Sequence, residues 1–148
     1  MNPDNLRFLG KINNIKYIDN LYNAQKHKLV LRASFMVGLP FDTDDTIERY
    51  FKYSSELPLS EYAVYPLIPY PGTLIYEKAK QFHYNIISEN YENYRQMGVN
   101  GDACYVLEYH NPNTSNHFGP ADVRRWKIRA EQLLDQHFIH MRNSSIAN

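Results

Sequence analysis

The feature that most limits what this chain can fold into is a pair of short apolar stretches, each ended by glycine or proline, with one helix-length segment between them. Leu29-Val30-Leu31-Arg32-Ala33-Ser34-Phe35-Met36-Val37 is rich in branched and apolar residues, as a strand buried on both faces requires. It stops at Gly38-Leu39-Pro40, where proline cannot donate to a ladder and glycine lets the backbone turn or approach another group closely. Thr43 suits a helix N-cap, and Asp44 and Asp45 then occupy the first turn, where the helix dipole favours negative charge. Ile47, Tyr50, Phe51 and Ser54 share one face of that helix, and Leu57-Pro58 closes it. Glu61 to Ile68 reads as a second strand interrupted by Pro66. Two strands joined by about four turns of helix need a crossover connection, which makes them parallel. The expected class is α/β.

Around this unit the pattern is uneven. Upstream, Asn13 or Asn14 caps a predicted helix carrying Ile15, Ile18, Leu21 and Tyr22 and ending near His27, and such a helix should lie against a sheet. Downstream, Pro69-Tyr70-Pro71-Gly72 forms a rigid turn, and Thr73 caps a helix through Ala79 to Phe82. From Asn85 to His117 the chain is rich in Tyr and Asn, with only Ala103 to Tyr109 reading as a short strand. Pro120 then opens an amphipathic helix through Val123, Trp126, Ile128, Ala130, Leu133, Leu134, His137 and Phe138 to about Arg142. Asn143 to Asn148 is expected to fray. The chain thus divides into residues 1–84, which hold the βα units, and residues 85–148, an extension of irregular structure and one long helix.

Length and charge narrow the function classes. With 148 residues the chain has enough apolar surface for one compact core. Sixteen basic residues balance sixteen acidic ones, so no field of one sign draws it to nucleic acid or an anionic membrane, and neither partner is expected. Its first residues are polar and no stretch approaches about 18 apolar residues, which points to the cytoplasm. The single cysteine, Cys104, supplies neither an internal disulfide nor a thiolate metal site by itself.

Ala33-Ser34-Phe35-Met36-Val37-Gly38-Leu39-Pro40-Phe41-Asp42-Thr43-Asp44-Asp45-Thr46 and, about thirty residues on, Pro69-Tyr70-Pro71-Gly72-Thr73 resemble the later strands of the radical S-adenosylmethionine (radical SAM) enzymes, most closely the group with a cobalamin-binding domain. The first resembles the F-x-x-G-L-P strand and loop, the second the P-x-P-G-T turn. Gly10-Lys11 and Phe138-Ile139-His140-Met141-Arg142 resemble the flanks of that pattern. The resemblance implies a partial parallel (β/α) barrel fragment, the last strands of a TIM-like barrel, followed by a C-terminal helical extension. It further implies that Met36, Val37 and Gly38, with Leu67, Ile68 and Pro69, wall the S-adenosylmethionine site at the strand ends. In that family a [4Fe-4S] cluster is held by a C-x-x-x-C-x-x-C loop, which this sequence lacks. The resulting expectation is a segment with no catalytic residue of its own, binding neither S-adenosylmethionine nor a cluster alone. It would depend on the N-terminal catalytic part of a radical SAM protein as its partner.

Other candidates have simpler explanations. Helix capping and dipole neutralisation account for Asp42, Asp44 and Asp45 better than a metal does. His137 and His140 lie on adjacent faces of one turn but lack a third ligand, so no metal residue is assigned. Cys104 reads as a small buried hydrophobe, and Phe35, Tyr62, Tyr65 and Trp126 as core aromatics rather than platforms for a nucleobase or cobalamin. Two other readings remain open at this point: a non-catalytic α/β binding or interaction module, including a subunit of a split enzyme, and an unrelated small α/β protein.

Overall fold

Strand β1, Arg32–Val37, and strand β2, Glu61–Pro66, pair in parallel from Arg32 opposite Glu61 to Val37 opposite Pro66 in the computed structural model. The structure describes residues 3–11, 16–88, 90 and 105–146. Both strands start later or end sooner than the apolar runs that encode them: Leu29, Val30 and Leu31 precede the first ladder pair, and Leu67 lies past the last one. Between them runs α3, Asp44–Ser55. Thr43 caps it as expected, its Oγ1 accepting from the Thr46 N–H at 3.2 Å while Thr46 Oγ1 accepts from the Thr43 N–H at 2.8 Å. This reciprocal pair satisfies donors that the helix start would leave open. Ile47 and Phe51 of α3 are buried, and the Phe35 ring meets Phe51 edge-on at 5.3 Å. Alternation along the strands puts Phe35 and Val37, Val64 and Pro66 on this covered side, all buried.

After β2 the chain stops building parallel strands. The turn at Pro69–Gly72 leads into a single helical turn, α4 (Leu74–Glu77), and a 3-10 turn, Ala79–Phe82. His83 then adopts a left-handed conformation with φ 62°, which ends the 3-10 turn. Beyond it, β3 (Tyr84–Ile86), β4 (Leu107–Asn111) and β5 (Asn116–Phe118) form a three-stranded antiparallel sheet in that spatial order. The strand expected over Ala103 to Tyr109 overlaps β4; Ala103 and Cys104 lie outside the described residues, as do Asn13, Asn14 and Ile15 of the expected helix start. The long helix α5 spans Pro120–Ile146, passing Arg142 where fraying was expected.

The fold is therefore α/β, but the expected barrel fragment is not there. Among the described residues the sheets are one parallel pair and one antiparallel triplet. A TIM-like barrel needs each strand to return parallel after its helix, whereas the strands after β2 pair antiparallel in a second sheet. One hydrophobic cluster joins Phe35, Val37, Phe51 and Val64 to Tyr84, Tyr109, Phe118, Trp126 and Leu134, so side chains from both halves of the sequence share it.

The first two helices add no fully buried apolar residue to that cluster among the described residues. The short α1 (Pro3–Phe8) reaches it through Phe8, whose ring meets Phe82 at 5.4 Å. In α2, Lys16–Lys26, no residue from Tyr17 to Lys26 is buried: Ile18, Leu21 and Ala24 are half-buried and Tyr17 and Tyr22 exposed. The expectation that this helix lies against a sheet is not met among the described residues.

Candidate functional site

Parallel pairing brings the two proline- and glycine-rich bends to one rim. Val37 ends β1 opposite Pro66, and the Leu67 N–H donates to the Val37 carbonyl at 2.8 Å, so Gly38-Leu39-Pro40 and Leu67-Ile68-Pro69 leave the pair side by side. Gly38 sits at φ +91°, where a side chain is strained, and a Cβ there would lie 3.3 Å from Val123 of α5 and 3.7 Å from Leu67. The glycine is thus required both by its backbone angle and by the closeness of α5.

A buried carboxylate holds the first bend in shape. Asp42 is 6% exposed; its Oδ2 accepts from the Gly38 and Leu39 N–H groups at 2.9 Å each, and its Oδ1 accepts from Asn5 Nδ2 at 2.7 Å. Asn5, itself buried in α1, returns its Oδ1 to the Phe41 N–H at 3.1 Å. Burial pushes the Asp42 carboxyl up to about 6, against the three N–H donors from Leu39, Gly38 and Asn5 that favour its ionised form. Asp42 therefore does not neutralise the helix dipole in the first turn, as its place before Thr43 suggests from sequence; it ties α1 to the rim.

The antiparallel sheet closes the same rim. Tyr84 donates its hydroxyl to the Gly38 carbonyl at 2.8 Å, and Asn116 Nδ2 donates to the Pro40 carbonyl at 2.7 Å. Burial, and then the nearby Asp42 charge, hold the Tyr84 hydroxyl far above its ordinary range, so it acts as a donor and not as a proton-transfer group at neutral pH. The six wall residues implied by the resemblance consequently divide. Val37, Gly38, Ile68 and Pro69 are buried in the chain's own packing, while Met36 and Leu67 remain half-buried. Met36 belongs to the face turned away from α3, with exposed Ser34 and half-buried Ala63 and Tyr65.

Asn5, Asp42, Tyr84 and Asn116 were not singled out as site residues by sequence reasoning. The Gly-Leu-Pro-x-Asp string carries a local signal for Asp42, since a short acid four residues after glycine can reach back to the loop amides. No local pattern marks Asn5 or Asn116, which arrive from 37 and 76 positions away.

Among the described residues, two surface grooves carry charged or titratable side chains. One of about 540 Å³ runs between α3 and α5 over Ile47, Trp126 and Ile128. Its arginines are engaged, Arg129 with both Glu48 oxygens at 2.7 and 2.6 Å and Arg125 with Asp44 at 2.9 Å. Asp44 also accepts from Trp126 Nε1 at 2.6 Å, and these two donors hold its carboxyl below the usual range. The other groove, about 480 Å³, holds His83, His110 and His117 with Lys80 and Glu108 on the antiparallel sheet. His110 and His117 are direct cross-strand partners with ring centroids 5.9 Å apart. Among the described residues, however, no three His, Cys, Asp or Glu side chains converge as a metal site would need. No described helix is long and apolar enough to cross a membrane.

No family model matches the chain, and no solved structure does. Among curated proteins the chain is similar to an uncharacterized methyltransferase of Pyrococcus horikoshii, with 35% identity over 79 residues, 52% of this chain. That stretch is only 17% of the relative's length. These findings overturn the radical SAM reading drawn from the two bends, together with its cobalamin-associated group and the assignment of the chain as a radical SAM segment. The relative is named only as a methyltransferase, and neither barrel nor converging ligand set stands among the described residues to support an iron-sulfur or cobalamin function. The two bends are real and adjacent, but a glycine-proline loop at the end of a parallel strand is what many α/β chains use to end a strand. What the chain resembles is a short part of a methyltransferase, at a distance.

Proposed function

We infer that this chain is part of an S-adenosylmethionine-dependent methyltransferase and lines one side of the methyl-donor site with the open face of its parallel pair. The similarity to the Pyrococcus horikoshii methyltransferase carries this reading. The position of Met36 and Leu67 at the carboxyl ends of the two strands supports it, because ligands of α/β sheets gather there. S-adenosylmethionine would supply the activated methyl group. Its adenine base is flat and largely apolar on its faces, and the half-buried Met36 and Leu67, with the small Ser34 and Ala63 nearby in sequence register, offer a wall of matching character. Gly38 serves this wall indirectly. Its N–H and carbonyl are already bonded to Asp42 and Tyr84, so it shapes the rim and leaves recognition to its neighbours. Val37, Ile68 and Pro69 support Met36 and Leu67 from behind.

One wall binds weakly, and affinity on the order of millimolar is expected for the chain alone, about 4 kcal/mol of binding. Protein with 13C-labelled methionine methyl groups is therefore titrated with S-adenosylhomocysteine and followed by NMR. The Met36 signal, identified by its loss in Met36→Leu, should move progressively while the other methionine signals stay in place. If Met36 stays fixed up to solubility-limited ligand, or all methionines move together, the methyl-donor reading fails.

A further inference from the structure

We propose that the cross-strand pair His110 and His117, on the outer face of the antiparallel sheet, chelates a divalent transition-metal ion of the copper(II) or nickel(II) class, with water completing its coordination.

Strand register brings the two imidazoles together. His110 of β4 stands directly opposite His117 of β5. On the other side of β4, the His110 N–H donates to the His83 carbonyl at 3.0 Å, and in an antiparallel ladder a residue turns its N–H and carbonyl toward the same neighbour. Toward β5, then, His110 and His117 form a pair without backbone hydrogen bonds between them. In such pairs the Cα atoms approach to about 4.5 Å and the side chains come closest. The ring centroids lie 5.9 Å apart, with the ring planes at 69°. An ion bonded to both rings through nitrogen, at about 2.0–2.1 Å, needs the centroids roughly 1 Å closer. Rotation about the side-chain bonds supplies this, since both residues are exposed.

The surroundings leave the rings available. Alternation turns Tyr109 and Phe118 into the core, both buried, and His110 and His117 outward, so the core needs neither imidazole. Among the described residues no hydrogen bond or ion pair engages either ring. The pair lies in the groove of about 480 Å³ with Lys80, His83, Asn85 and Glu108. Glu108, which accepts from Asn85 Nδ2 at 3.2 Å, brings the negative charge that offsets Lys80.

Ligand number decides which metal fits. The His83 ring stands edge-on to Tyr109 at 6.4 Å, and no third ligand converges on the pair among the described residues. Closed zinc sites take four protein ligands and catalytic ones three. Copper(II) and nickel(II) instead accept tetragonal sets of nitrogen and oxygen, in which water fills what imidazole leaves, and affinity along the first-row series peaks at copper(II). An ion held by both strands binds only when they are paired, so it stabilises the fold.

Copper(II) chloride titrated into the chain at neutral pH, followed by calorimetry and electron paramagnetic resonance, tests the site. One ion should bind tightly, show two equatorial nitrogens and raise the thermal midpoint. His110→Gln and His117→Gln should each weaken binding about 100-fold, because the second imidazole of a chelate binds intramolecularly, and should abolish the midpoint shift. Both side chains are exposed, so the circular dichroism of the metal-free variants should match the wild type. His83→Gln should bind as the wild type does. So should the combined His137→Gln and His140→Gln, which removes the other closely spaced histidines. Affinity unchanged in either His110→Gln or His117→Gln, an equal loss in His83→Gln or in the His137 and His140 variant, or a single-nitrogen signal in the wild type would each overturn the proposal.

Discussion

Asp42 shows how one residue can hold a loop and make it pH-sensitive. A buried carboxylate is costly unless donors surround it, and Gly38, Leu39 and Asn5 supply three. Burial still outweighs them, and the carboxyl titrates near 6 in the fold against 3.8 as its ordinary value. Because the folded value is raised, the Asp42 contribution to stability is fully present below pH 3.8 and is lost as the pH rises through about 6. A displacement of about two pH units corresponds to roughly 3 kcal/mol. Asp42→Asn removes the titration and keeps an acceptor for the loop amides. Urea unfolding of both proteins from pH 4 to pH 7 should show the wild type losing stability relative to Asp42→Asn by up to about 3 kcal/mol. Curves that stay parallel across this window would show that Asp42 keeps an ordinary carboxyl. Asp44 and Glu48 run the other way: Arg125 and Arg129 hold them low, so what they contribute is lost only as the pH falls through their depressed values.

At the scale of elements, α3 is held by two kinds of contact of unequal weight, an ion pair to α5 and a buried ring against β1. Glu48 and Arg129 form a two-pronged ion pair, but their side chains are 44% and 42% exposed, where water and salt screen most of the attraction. Phe51 is fully buried against Phe35 and Tyr50. Phe51→Ala should cost about 3–5 kcal/mol through lost burial and the cavity left behind. Glu48→Ala should move the thermal midpoint little, with its effect shrinking further in high salt. Comparable losses for the two variants would mean that the ion pair is less hydrated than its exposure indicates. These elements were also the most legible in the sequence. Thr43, the acidic first turn and the Ile47–Phe51 spacing marked α3 by local chemistry that works in any context. The antiparallel triplet was nearly invisible because its strands are only three to five residues long, too short for alternation to show. Their pairing depends on Tyr84, Tyr109 and Phe118 meeting at 5.0 to 6.4 Å across the sheet.

For the whole molecule, the single hydrophobic cluster makes most of the chain one cooperative unit while α2 remains outside it. Unfolding followed by Trp126 fluorescence and by far-ultraviolet circular dichroism should give one midpoint, since Trp126 packs on Phe118 within the cluster. Native-state hydrogen exchange should find the α2 amides opening with free energies far below those of β1 and the Val123–Leu134 part of α5, because none of its residues from Tyr17 to Lys26 is buried. Protection of α2 equal to that of β1 would show that the helix is anchored by the chain itself.

Read alone, the amino-acid sequence determined the α/β class, the parallel pairing of the two apolar runs, the capped helix between them and the long terminal helix. Each of these is written in local patterns: periodicity, capping residues and the donors that proline lacks. It also placed the two bends at one rim, because parallel strands end on the same side. Only the tertiary structure decided that the strands after β2 pair antiparallel in a second sheet instead of continuing toward a barrel. It likewise decided that Asp42 serves the loop and not the helix, and that Val37, Gly38, Ile68 and Pro69 are covered while Met36 and Leu67 stay partly open. Those outcomes depend on contacts between residues tens of positions apart, such as Tyr84 with Gly38 and Asn5 with Asp42, and such contacts arise only when burial brings the distant groups together.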